Sequence, residues 1–212
     1  MKSRVGIINA GIGNIKSIAN ALKYIGYDSE IIQLSDVKNN SYSHMFLPGV
    51  GSFETGSKLL NDDWRQFIYS HINAGNFLLG ICLGMQLLFN SSEESPGEGL
   101  KLINGRIKKL PDKEDTLALP RIGWRLVDFG KDYMGNLGAP SQKSKYYFVH
   151  SYGFFENEEC DVNSNFIVKE IQDNIDVVAS IEKENIFGVQ YHPEKSSIYG
   201  LEILSNFLKL QP

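Results

Sequence analysis

The sequence predicts an α/β fold: a central, mostly parallel sheet with helices on both faces, and a mixed or antiparallel β extension in the C-terminal half. Three observations predict it. Short apolar runs alternate with amphipathic stretches from Val5 to Phe89. Between Arg106 and Val189 helical periodicity is missing and several short β-like runs follow one another. A last amphipathic stretch, with Leu201, Leu204, Phe207 and Leu208 on one face, closes the chain as a helix.

Taken in order, Val5 to Ile8 predicts a buried strand. Asn14 to Ile25 predicts a helix, because Ile15, Ile18, Ala19, Leu22 and Ile25 recur at three- and four-residue steps, and Gly26 ends it. Glu30-Ile31-Ile32 and Met45-Phe46-Leu47 are strands. Trp64, Phe67, Ile68, His71 and Ile72 mark one face of a second helix, closed by Gly75. Phe77 to Ile81 is a fourth strand and Leu83 to Phe89 a helical run. Ser91 to Gly99, rich in Ser, Glu, Gly and Pro, predicts a loop. The later strands are Ile122 to Val127, Tyr146 to Val149, Phe166 to Val168, Val177 to Ile181 and Ile186 to Gln190. Lys131 to Lys145 carries the least pattern and is expected to be an exposed loop. With 212 residues, no repeat and no linker, residues 1–212 are expected to form one domain.

Composition narrows the function. Hydrophobic residues make up 42% and charged residues 22%, enough apolar surface to exclude disorder. No apolar run approaches the roughly 18 residues of a membrane helix, and the start of the chain lacks the apolar stretch of a signal peptide. A cytoplasmic protein without membrane contact is expected. Twenty-one basic against 25 acidic residues, net charge −4, leave no basic footprint for nucleic acid. Cys82 and Cys160 are the two cysteines, without metal-ligand spacing; neither a metal nor a cofactor is expected.

Gly80-Ile81-Cys82-Leu83-Gly84, between a β-run and a helical run, has the form of a nucleophile elbow. A sharp strand-to-helix turn would expose the Cys82 thiol above the sheet, and a following helix dipole would favour the thiolate. Cys160 lies among Glu158, Glu159 and Asp161, anions that disfavour a thiolate. The nucleophile needs a base and the base an orienting group. His44 and His71 fall in or beside regular elements and are read as structural. His192 follows an apolar strand, and Glu194, two positions on in an extended segment, would point to the same side and hold the imidazole's tautomer. Pro48-Gly49-Val50-Gly51 can offer unobstructed backbone N–H groups to an oxyanion. Gly11-Ile12-Gly13 invites a dinucleotide reading, but Lys16 and Gln33 stand where that motif needs glycine and a carboxylate.

These stretches, with Met85-Gln86, Lys195-Ser196, Gly123-Trp124 and Tyr147-Phe148-Val149-His150-Ser151-Tyr152, resemble the class I (triad-type) glutamine amidotransferases over nearly the whole chain. Within that family they are most similar to the glutaminase subunits of imidazole glycerol phosphate synthase. The resemblance implies that Cys82 attacks the side-chain amide of L-glutamine, with His192 relaying protons and Glu194 orienting it. It implies Gly51 and the N–H of Leu83 as oxyanion hole, and Gly49, Gly51, Gln86, His150, Ser151 and Tyr152 around the glutamine. It further implies a heterodimer with a (β/α)8 synthase or cyclase subunit that receives ammonia in histidine biosynthesis. Asn14, Trp124, Tyr147 and Lys195 match the partner face, and Val50-Gly51 the segment that reorients. Asn9-Ala10-Gly11, Arg121-Ile122-Gly123-Trp124-Arg125 and the lysine-rich stretch before Tyr146 depart from the pattern on that face. They leave open a paralogue that supplies ammonia for amidino groups on bacterial surface sugars. A peptidase- or deglycase-like elbow enzyme and an idle regulatory subunit are the readings outside the family's activity.

Overall fold

The computed structural model describes residues 4–36, 42–111, 119–138, 143–155, 160–163, 167–170 and 177–211. Strand β1 (Val5–Ile8) leads into α1 (Ile15–Tyr24), β2 (Glu30–Ile32), β3 (His44–Gly49), α2 (Phe53–Leu59), α3 (Asp62–Asn73), β4 (Phe77–Cys82) and α4 (Leu83–Gln86). There follow β5 (Ser91–Ser92), β6 (Arg106–Lys109), β7 (Arg121–Asp128), β8 (Lys143–His150), β9 (Tyr152–Gly153), β10 (Ile167–Glu170), β11 (Val177–Lys183), β12 (Ile186–Val189) and α5 (Ser197–Lys209).

Nine strands form the main sheet, in the order β2-β1-β3-β4-β12-β11-β10-β7-β8. From β2 to β12 neighbours run parallel; from β12 to β8 they run antiparallel. The expected architecture is therefore found, with the change of direction between β12 and β11. Two apolar layers cover the sheet. On one face Phe53, Trp64, Ile68 and Leu83 bring α2, α3 and α4 against it. On the other, Ile18 and Leu22 of α1 meet Ile203, Leu204 and Phe207 of α5. Full burial of each such side chain stabilises by about 1.5–3 kcal/mol, which is why short helices with one apolar stripe suffice here.

Local chemistry sets the helix ends. Asn14, Ser52 and Asn61 each cap a helix by accepting from a backbone N–H three residues on. The sequence pattern missed α2, whose seven residues bury only Phe53 and Gly56. Two further donors at its start are taken from outside: Glu94 Oε2 accepts from Phe53 N at 2.7 Å and Ser95 Oγ from Glu54 N at 3.0 Å. The loop predicted at Ser91 to Gly99 thus holds that helix from a distance.

Three expectations need correction. The helical run expected to Phe89 stops at Gln86, and residues 87–89 continue as single turns whose carbonyls serve Leu100, Lys101 and Leu102. Strands β5 and β6, with no alternation to announce them, were not expected; β6 pairs with β5 on one side and β9 on the other in a small second sheet. The stretch Lys131 to Lys145 is not simply an exposed loop. Leu137 is fully buried, and Glu182 of β11 accepts hydrogen bonds from the Tyr133 hydroxyl, from Asn136 N at 2.7 Å and from Leu137 N at 3.0 Å. A buried carboxylate 45 residues away in sequence fastens what polar composition made look free. Residues 139–142 of that stretch, and Phe166 of an expected strand, lie outside the described residues.

Candidate active site

Strand β4 delivers Cys82 to the top of the sheet, beside β3 and β12. Cys82 takes φ +55° and ψ −113°, a region that costs a non-glycine residue on the order of 1–3 kcal/mol. The left-handed turn falls on the cysteine itself; its flanking glycines serve packing. A Cβ on Gly80 would approach the Gly84 carbonyl oxygen to 2.6 Å, and one on Gly84 would fall on the Leu47 carbonyl oxygen. Only bare backbone lets the elbow nest against β3. The expected helix dipole is weaker than the sequence suggested, since α4 is four residues long.

His192 lies three residues beyond the end of β12, the strand next to β4, and its imidazole lines the same cavity as the Cys82 thiol. Its Nδ1 is 2.9 Å from Glu194 Oε1, with both side chains buried, at 5% and 1% exposure. The carboxylate accepts from Nδ1–H, so Nε2 is the nitrogen left to exchange a proton. The route to this geometry differs from the extended segment expected. His192 is extended, but Pro193–Lys195 forms a 3-10 turn that swings Glu194 back under the ring. Ser196 Oγ donates to the His192 carbonyl at 2.6 Å and accepts from Tyr147 N at 2.9 Å, tying the turn to β8. Burial works against the imidazolium, yet the hydrogen bonds and charges of Cys82 and Glu194 outweigh it, and His192 is pushed up to about 9.

The thiol opens into a cavity of about 290 Å³ lined by Val50, Gly51, Cys82, Leu83, Gln86, Glu94, Pro120, Val149, His150, Ser151, Tyr152, His192 and Lys195. Most residues singled out from sequence therefore meet at one place. Gly49 is set back from it: it is the last residue of β3, and a Cβ there would press on Gly84 N at 2.6 Å. Gly51 is exposed with φ +104°, a conformation that favours glycine, and a Cβ there would meet nothing within 4 Å. Gln86 Nε2 donates to the Tyr152 carbonyl at 2.9 Å. His150 Nδ1 is 2.9 Å from the same oxygen and must carry a proton. Burial pushes His150 down to about 4, so it is neutral.

The residues expected to meet a partner divide. Lys195 lines the cavity, and its ammonium stands 6.0 Å from the ring centre of Tyr147, which packs edge-on to half-exposed Trp124. Exposed Asn14 lies apart from the cavity lining and caps α1. His44 and His71 are buried in the frame, each pushed down chiefly by burial, His44 to about 4. Cys160 is pushed up, first by burial and then by Asp161; Glu158 and Glu159 lie outside the described residues. Among the described residues no group of three or more His, Cys, Asp or Glu could hold a metal, and no helix is long and apolar enough to cross a membrane.

Sequence reasoning missed two residues here. Glu94 sits in a loop with no periodicity, and nothing local shows that it reaches the cavity. Gln190 shares the Gln190-Tyr191-His192 stretch with the imidazole, and its nearness to His192 was the available signal.

A thiol at a strained elbow, a buried imidazole–carboxylate pair and an amino-acid-sized cavity are together the arrangement that acyl transfer by a cysteine requires. The family model for glutamine amidotransferase class-I matches residues 6–210, and the chain belongs to that family. It is 40% identical over 206 residues to imidazole glycerol phosphate synthase subunit HisH of Caldanaerobacter subterraneus subsp. tengcongensis, covering 96% of each chain. It is 37% identical to the HisH subunit of Chlorobaculum tepidum, over 96% of this chain and 98% of the relative. Among solved structures it resembles a chain of PurLQS from Thermotoga maritima, with a TM-score of 0.71, 18% identity and 98% of each chain covered; this likeness concerns the fold.

Proposed function

We propose that this chain is the glutaminase half of an imidazole glycerol phosphate synthase, releasing ammonia from the side-chain amide of L-glutamine for a (β/α)8 cyclase partner in histidine biosynthesis. The observation that carries the reading is that Cys82 and His192 line one cavity, with Glu194 2.9 Å behind the imidazole. The HisH relatives, at 40% and 37% identity, supply the pathway.

In this mechanism the Cys82 thiolate attacks the amide carbon and the carbonyl becomes an oxyanion, held by the N–H groups of Gly51 and Leu83. His192 gives its proton to the amide nitrogen, the C–N bond breaks, and neutral ammonia leaves a γ-glutamyl thioester. His192 then takes a proton from water, whose oxygen attacks the thioester and expels the Cys82 thiolate as glutamate forms. Glu194 keeps Nδ1 protonated throughout, so Nε2 does the exchange. Glu94, with one oxygen engaged by Phe53 N, faces the substrate's α-ammonium, while Gln86, His150, Ser151 and Tyr152 shape the opposite wall.

A partner is needed because ammonia in neutral water protonates and ceases to be a nucleophile; it must pass along a dry path. Val50, Ile122 and Trp124, 47%, 58% and 47% exposed, offer apolar surface for that seal, with Lys195 at the cavity rim. The test is glutamate release by the purified chain with and without the cyclase subunit. Release that depends on that subunit and disappears in Cys82→Ala supports the reading. Undiminished release by Cys82→Ala, or no response to the cyclase, overturns it.

A further inference from the structure

Gln190 is fully buried between the nucleophile and the substrate wall. Its Nε2 is 3.8 Å from Cys82 Sγ, and its Oε1 accepts from Gln86 Nε2 at 3.0 Å. Gln86 Nε2 also donates to the Tyr152 carbonyl. That carbonyl can only accept, so it forces Gln86 to present nitrogen; a reversed Gln86 would set oxygen against oxygen. Gln86 nitrogen in turn forces Gln190 to present oxygen to it and N–H to the sulfur. The polarity of both amides is thus fixed from one backbone group, and it ends as a donor aimed at Sγ. On the other side, Val149 O lies 3.8 Å from Sγ and can accept only from the protonated thiol. The sulfur therefore sits between an acceptor that suits the thiol and a donor that suits the thiolate. The titratable groups around this arrangement are His192 with Glu194 behind it, neutral His150 on β8, and Glu94, Tyr152 and Lys195 in the cavity lining.

We infer that Gln190 is a further catalytic residue of the proposed reaction: its carboxamide donates a hydrogen bond to the Cys82 thiolate, and Gln86 holds that amide in the donating orientation. The inference rests on Cys82 being the nucleophile of the function proposed above. Gln190 is not part of the cavity lining, and Gln86, which is, keeps its bond to the Tyr152 carbonyl when Gln190 is lost, so the chief effect falls on the sulfur. A donor of this kind favours the anion without adding a charge that would compete with the His192 imidazolium.

The test is alkylation of Cys82 by iodoacetamide in a Cys160→Ser background, with no glutamine and no partner. In Gln190→Leu, which keeps the volume and removes the donor, alkylation at neutral pH is expected to slow about tenfold, one logarithmic unit. Its pH–rate profile should move to the alkaline side, and kcat with the cyclase subunit should fall with KM unchanged. In wild-type protein carrying nitrogen-15 in its glutamine side chains, a Gln190 amide proton should move downfield over the pH interval in which alkylation accelerates. Cys82→Ser should abolish that movement. The inference is overturned by an unaltered alkylation profile in folded Gln190→Leu, by a rise in KM without slower alkylation, or by a static Gln190 resonance. Should Gln190→Leu not fold, the resonance decides. Because alkylation and resonance need neither substrate nor partner, they stand whether or not glutamate release fails.

Discussion

The two halves of the main sheet are held by different physics. The parallel half, β2 to β12, is apolar and close: β3, β4 and β12 are buried almost throughout, and backbone meets backbone at Gly80 and Gly84. The antiparallel half, β11 to β8, is held from inside by polar groups. Arg121 and Glu170, both fully buried, pair through Nη1 at 2.8 and 2.9 Å, and Glu182 grips residues 133–137. The difference teaches where each function sits. The rigid half can hold Cys82 in a strained turn because its neighbours leave it no room to relax. The polar half shapes the wall of the cavity, Pro120 and Val149 to Tyr152, where recognition needs fixed hydrogen-bonding directions. His192 stands at the seam.

The sharpest way to break this contrast is Gly84→Ala. Its methyl would collide with backbone, so a loss above about 4 kcal/mol is expected, seen as failure to accumulate folded protein; a near-normal urea midpoint would deny that close packing governs this half. Arg121→Met comes next. Stripping Glu170 of its charged partner should cost about 3–5 kcal/mol, and the double variant Arg121→Met/Glu170→Leu should recover most of it. If the double variant is no more stable than the single one, the pair does not act as a unit. At the seam, Glu194→Gln should lower kcat about a hundredfold with little change in KM, through lost control of the tautomer. Steady-state kinetics with the cyclase subunit would show this, and an unchanged kcat removes Glu194 from the mechanism.

Acidity separates seam from frame more gently. His44 and His150 are pushed down to about 4 from 6.5, so the unfolded chain binds more protons than the native one between those values. Their contribution is present above pH 6.5 and is lost as pH falls toward 4. His192, pushed up to about 9, behaves oppositely: its contribution is complete below 6.5 and is lost as pH rises through 9. Urea titrations should show the alkaline decline vanish in His192→Asn and the acid decline persist; an alkaline slope shared by both proteins contradicts the assignment. The smallest effect is expected at the exposed Lys58–Glu54 pair, where Lys58→Ala should change stability by no more than about 0.5 kcal/mol.

Much of the parallel half was legible because its information is local. Ile15, Ile18 and Leu22 announce α1 by spacing alone, and Gly80 to Gly84 announces the elbow within five consecutive positions. His192 and Glu194, two apart, could be paired from sequence, although the turn that joins them could not. Arg121 and Glu170 give no such sign: each is a charged residue that composition assigns to the surface. Helix α2 was missed because its partners come from Glu94 and Ser95, about forty positions on.

By itself, the sequence determined the strand–helix order and the family, and it singled out the proposed nucleophile and base, since each signal is written in neighbouring residues. Only the tertiary structure decided that Glu94 reaches the cavity, that Glu182 closes over residues 133–137, and that Gln190, 108 positions from Cys82, stands beside its sulfur. Those pairings depend on which strands become neighbours, and strand order is settled by the packing of the whole sheet.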